Sequence, residues 1–228
     1  MDFWEMIMIR ESFSRHIKEL ENEITNMSEM VITATNRSVE ALKARSIDNA
    51  KQIIADDELI NKKRWDIEEK CITLIATQQP VATDLREIIA VLNIITDLER
   101  IGDYAEGIAK IVVLLGDEPL VKPLTNIPKM AEIATDMLKR SIEAFVKRDA
   151  RTARAICNED DQVDTLYDQV YHDVLMCMIK DPNVVSKATP LIWAAHNLER
   201  IADRATNICE RTVFLATGTM QDINASRY

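Results

Sequence analysis

LERIGDYAEGI, residues Leu98 to Ile108, and LERIADRATNI, residues Leu198 to Ile208, are the same eleven-residue sentence written twice, a hundred positions apart, with seven residues identical. A self-similarity of this kind sets the architecture before any local propensity is weighed. Working outward, RSVEALKARSIDNAKQIIADDE (Arg37 to Glu58) lies over RSIEAFVKRDARTARAICNEDD (Arg140 to Asp161) at an offset of 103, sharing Arg, Ser, Glu, Ala, Arg, Ala, Ile and Asp. The change of offset places three extra residues between the second and third elements of the first copy. The 228 residues contain only 4 Gly and 6 Pro, are 47% hydrophobic and 29% charged, a balance that suits long amphipathic helices.

The spacing predicts an all-α chain of two tandem three-helix up-down-up bundles, six long helices in all. In the first copy the helices are expected at about 10 to 44, 47 to 76 and 83 to 115, in the second at about 129 to 147, 150 to 180 and 187 to 216, each end good to roughly two to four residues. Gln79-Pro80 and Asp181-Pro182 are the breaks within the copies, and Thr83 followed by Asp84 reads as an N-cap with an acidic first turn. The breaker-rich run Gly116-Asp117-Glu118-Pro119 with Pro123 and Pro128 divides the chain into a first bundle, 1–116, a linker, 117–128, and a second bundle, 129–228. The stripes Ile94, Leu98, Ile101, Ala105, Ile108 and Leu198, Ile201, Ala205, Ile208 are the expected cores.

Opposite those apolar stripes the third helices carry acids. Glu99, Asp103 and Glu106 share one face in the first copy; His196, Glu199, Asp203, Asn207 and Glu210 share one in the second. The ordinary reading is a solvated face. Against it, like charges at i, i+4 cost a helix about 0.2–0.5 kcal/mol, and the pair recurs at matching positions in both copies. A second acidic cluster opens each second helix: Asp56, Asp57, Glu58, Asn61, then Glu159, Asp160, Asp161, Asp164. The helix dipole explains its first three members but not Asn61 or Asp164, a turn deeper. In an antiparallel pair the start of helix two and the later part of helix three lie at one end, so the clusters converge on an oxygen-rich surface suited to a hard cation. His196 and Cys209 flank the second stripe as bystanders.

Acidic residues outnumber basic ones 38 to 28, a formal charge of -10, which disfavours nucleic acid as a partner and favours cations or basic protein surfaces. The four cysteines, Cys71, Cys157, Cys177 and Cys209, form no C-x-x-C pair and read as buried reduced thiols of a cytoplasmic protein. The N-terminal MDFWEMIMIRESF lacks a small-residue cleavage site and no stretch approaches a membrane span, so membrane contact is expected only through partners.

With QQPVATDLR (Gln78 to Arg86) added to the two LERI-x-D-x-A stretches, the chain resembles the PhoU family of phosphate-uptake regulators, from about Phe13 to Phe214. The resemblance implies paired three-helix bundles with E(D)-x-x-x-D motifs, and surface metal: multinuclear iron clusters first, with zinc, manganese or magnesium as the alternatives. Carried over by position, the first site falls on Glu99 and Asp103 with Asp57 and Asn61, the second on Glu199, Asp203 and Asn207 with Asp160, Asp164 and Glu210. The copies depart from each other where Glu106-Gly107 faces Thr206-Asn207, so the first site is expected to use a shifted ligand or to bind more weakly. The resemblance further implies a non-enzymatic adaptor that restrains phosphate uptake and two-component signalling through the phosphate-transporter ATPase subunit and a sensor histidine kinase, and it leaves a homodimer open. Two rival readings are a carboxylate-bridged metal store or di-iron enzyme, which needs inward-facing Glu-x-x-His on two helices, and a bare helical scaffold.

Overall fold

A computed structural model of the chain describes residues 3–219. The expected ends of the two bundles, residues 1–2 and 220–228, lie outside the described residues. The helices are α1 (Phe3–Ala44), α2 (Ile47–Gln78), α3 (Thr83–Leu115), α4 (Asn126–Lys147), α5 (Ala150–Cys157), α6 (Asp160–Lys180) and α7 (Val185–Thr217), with a single 3-10 turn at Pro182–Val184 before α7. No strand occurs among the described residues.

Six rods are present, the fifth interrupted. Where the first copy runs unbroken through Ala55 and Asp56, the second has Asn158 and Glu159 between α5 and α6. Their amides donate to Ala155 O (3.2 Å) and Ile156 O (2.9 Å), three residues back, closing α5 in a tight turn. Asn is a poorer helix former than Ala. Thr83 proves to be the first residue of α3 and makes no cap; Ala82 precedes it at φ 50° with no side-chain cap bond. At the other break the capping is of the expected sort, Asp181 accepting from the Asn183 amide at 3.0 Å. The first rod of each copy ends alike, on an arginine in the left-handed region, Arg45 (φ 56°) and Arg148 (φ 53°).

Both apolar stripes are fully buried: Ile94, Leu98, Ile101, Ala105 and Ile108, and Leu198, Ile201, Ala205 and Ile208. The two bundles do more than follow one another along a linker. α3 packs against α1, α2 and α7; α7 packs against α4, α5, α6 and α3; and α1 lies along α4. At the α3–α7 crossing, Arg204 Nη1 and Asn207 Nδ2 both donate to Asp97 Oδ1 at 3.3 Å. At the matching place on the other side, Asn197 Nδ2 lies 3.0 Å from where a Cβ on Gly107 would stand. The pairs 97·207 and 107·197 exchange under the hundred-residue repeat, so an approximate two-fold axis runs between Gly102 and Ala202 and the two copies meet as equals.

Candidate functional site

Each copy brings its two acidic clusters together along the seam between its second and third rods. In the first, Asp57 on α2 rests on Gly102 of α3: a Cβ there would lie 3.2 Å from Asp57 Oδ1 and 3.1 Å from Ile60. Only the absent side chain lets the carboxylate approach the helix so closely. Asn61 Nδ2 donates to Asp57 Oδ2 at 2.9 Å. Burial raises the Asp57 pKa above its ordinary value, and the charges of Glu106, Asp103 and Glu99 push it further. These four acids and Asn61 therefore share one electrostatic neighbourhood.

In the second copy Asp160 opens α6, 4% exposed. Burial, then the charges of Asp164, Asp203, Glu199 and Asp161, push it up to about 7. Glu199 is likewise raised to about 7 by burial and by Asp203, against the opposing pull of Arg200. Asp164 is half-buried between them. Asn207, expected among the ligands, turns its amide to Asp97 at the α3–α7 crossing instead. Glu210 lies half-buried further along α7. His196 stands closer to the site than expected, with Nδ1 3.2 Å from Glu199 Oε2. Cys209, by contrast, is buried beside Cys157 in the core.

The stripes do not face away from the bundle as expected. The side chains of Glu99, Glu106 and Glu199 are only 18%, 19% and 17% exposed, because each third helix is covered by its second-rod neighbour as well as by the opposite copy, which widens the buried arc until the acids lie at its edge. Each stripe also meets basic groups of its own helix: Arg100 reaches Asp103 (2.9 Å) and Glu99 (3.5 Å), Lys110 reaches Glu106 (2.6 Å), and Arg200 pairs with Asp203.

Two acids of the opening clusters are committed elsewhere. Arg37 binds Asp56 at 2.6 Å, and its repeat counterpart Arg140 grips Glu159 through both terminal nitrogens, one of them at 2.9 Å. Asp56 and Glu159 are held below the usual carboxylate range by these arginines. The recurrence of Arg37 and Arg140 in the repeat was the available signal. Asp97, the acid at the α3–α7 crossing, was also missed, although it falls between Ile94 and Ile101 on the apolar stripe.

All donors in both seams are oxygen atoms apart from the imidazole of His196, which fits a hard cation and not a thiolate-ligated one. Among the described residues, no three His, Cys, Asp or Glu side chains are gathered closely enough to close on one ion, so the fit is to an open row of carboxylates and not to a preformed cage. The inward-facing Glu-x-x-His that a di-iron bundle needs has no counterpart among the described residues: His196 precedes Glu199 on one helix, and no histidine is buried.

The PhoU domain family matches twice, at residues 24–112 and 127–212, one match in each copy. The chain belongs to the PhoU domain family. A relative from Clostridium acetobutylicum, named phosphate-specific transport system accessory protein PhoU homolog, is 38% identical over 218 residues, covering 95% of this chain and all of the relative. A protein of the same name from Aquifex aeolicus is 36% identical, covering 90% and 92%. Among solved PhoU structures, the phosphate transport system regulatory protein of Streptococcus pneumoniae superposes with a TM-score of 0.86 at 31% identity, over 92% of this chain and 99% of that one. PhoU from Pseudomonas aeruginosa gives 0.85 at 31%, over 91% and 100%.

Proposed function

We propose that the chain is a cytoplasmic accessory regulator of a phosphate-specific transport system, an adaptor without catalysis of its own that restrains uptake and the associated two-component signalling when phosphate is plentiful. The observation that carries this reading is the full-length correspondence with relatives named as phosphate-transport accessory proteins. The transporter's ATPase subunit and the sensor kinase are the proposed partners. No helix among the described residues is long and apolar enough to cross a membrane, so contact with the membrane-borne machinery would pass through them.

The seams are the second part of the proposal. Crowded, half-buried carboxylates relieve their repulsion by taking up protons or a hard cation. Asp57, Asn61, Glu99, Asp103 and Glu106 would hold it in the first copy, and Asp160, Asp164, Glu199 and Asp203 in the second, the bound cation neutralising the seam. Iron is the first candidate, with manganese, magnesium and zinc as the others.

The test is complementation of a bacterial strain lacking its own regulator, with phosphate uptake and a phosphate-starvation reporter both read in high phosphate. The parent chain is expected to restore repression, and Glu199→Ala with Asp203→Ala to lose it while the purified variant keeps its helical circular dichroism. Failure of the parent to repress sinks the adaptor reading. Anomalous scattering at the iron, manganese and zinc edges, with magnesium followed by calorimetric titration, tests the cation; silence in all of them removes it.

A further inference from the structure

The acids occupy only one end of each seam. On α6 and α7, antiparallel neighbours, the ring centroids of Tyr167 and His196 are 6.0 Å apart, which fixes the register just beyond Asp164 and Glu199. Continuing it, each residue gained along α6 is matched by one lost along α7. Beyond Tyr167 the same edge of α6 carries Tyr171, Leu175 and Ile179, and the stripe of His196 and Glu199 on α7 runs back through Thr189 to Val185. The four apolar members of that row are all exposed, Tyr171 at 47% and Ile179 at 64%.

The first copy repeats the arrangement with different residues. At the matching positions α2 presents Ile72 for Leu175, and α3 presents Ile89 for Thr189 and Leu85 for Val185, all exposed. Single exposed apolar side chains need no explanation. Apolar side chains exposed at matching positions on the same seam of both halves do.

We propose that each seam docks an amphipathic helix of a partner protein, its apolar face lying along the exposed row and its basic end taking the place of the cation over the carboxylates. A trough between two antiparallel rods is straight, and from Asp160 to Ile179 it runs about 28 Å, the length of roughly 19 helical residues. Charge selects the occupant. A second copy of this chain, at -10, would bring its own acids to the same place, and an anionic membrane surface is repelled for the same reason. The proposal rests on the adaptor reading for its need of a protein partner, but its test does not use that reading.

The probe is a fluorescein-labelled twenty-residue helical peptide with leucines at i, i+3, i+4 and i+7 spacing and four lysines or arginines at one end, titrated into the full chain and followed by anisotropy. Replacing the basic end with glutamates is expected to weaken binding at least tenfold, as is the fourfold variant Ile72→Ser, Leu85→Ser, Ile179→Ser, Val185→Ser. Leu59→Ser, on the far side of α2 and 58% exposed, is expected to leave it unchanged. Equal binding by the fourfold variant, with its circular dichroism intact, overturns the proposal. So does flotation of the parent, but not the variant, with phosphatidylglycerol vesicles, which would make lipid the occupant. Peptide binding beside failed complementation would sink the adaptor reading alone; the converse would sink the seam alone.

Discussion

Asp160 is the residue at which the chemistry of the second seam is concentrated. It sits in the first turn of α6, where the helix dipole favours a negative charge, yet burial and four neighbouring carboxylates push it up to about 7. In the unfolded chain it titrates near 3.8. The folded state therefore holds the proton longer: the stabilisation this confers is complete below the unfolded value and is lost as pH climbs through 7. Asp160→Asn is expected to melt higher than the parent at pH 8 in chelated, low-salt buffer, by about 1 kcal/mol, with the gap closing by pH 4. A gap that persists at pH 4 would mean the carboxylate charge is not its cause. The acids of the seams were legible because a helix projects i, i+3 and i+4 onto one face whatever surrounds it. The partners were not. That Asp56 belongs to Arg37 and Glu159 to Arg140 depends on how two rods register, and Asn207 looked like a ligand until α3 supplied Asp97.

At the scale of the element, α3 carries two glycines with opposite reasons to be there. Replacing glycine by alanine inside a helix gains about 1 kcal/mol from propensity alone. At Gly102 the new methyl would meet Ile60 at 3.1 and 3.3 Å and Asp57 at 3.2 Å, where overpacking costs typically 1–3 kcal/mol; the variant should be destabilised and its α2 lifted from the seam. At Gly107 the nearest atom is the amide tip of Asn197 at 3.0 Å, free to swing aside, so Gly107→Ala should be neutral or slightly stabilising. Urea denaturation of the pair decides it, and two equal shifts would show that the contacts at Gly102 are not what matters. The six rods themselves followed from the repeat and from Pro and Gly placement. The interruption of the fifth did not, because Asn158, a poorer helix former than the Ala55 it matches, sits in an otherwise helical pattern.

For the whole molecule, what the linker suggests and what the packing delivers are different things. A Pro-rich connection reads as two bundles on a tether, whereas α3 on α7 and α1 on α4 merge their cores, and no periodicity within either copy announces a surface shared between copies. Asp97, 8% exposed, joins the halves through Arg204 and Asn207. Asp97→Ala would take from the half-buried Arg204 its carboxylate, leaving Tyr104 as partner, and is expected to cost about 1.5 kcal/mol. Calorimetry should show a single transition for the parent, its calorimetric and van't Hoff enthalpies equal, and a lower or divided one for the variant. Two transitions in the parent would mean that the halves melt apart despite the crossing.

The turn at Asn158 and Glu159 breaks the symmetry that the repeat otherwise maintains. In the first copy Asp57 is borne on an unbroken rod, so it can shift only if thirty-odd residues shift with it. In the second, Asp160 begins a fresh rod immediately after a joint, with Cys157 on the far side anchored in the core. Amide hydrogens at the joint should exchange with solvent sooner than those at 55–57, and the α6 half of the molecule has a pivot that its twin lacks. Faster exchange at 158–160 than at 55–57 would make the two copies of one surface unequal in compliance.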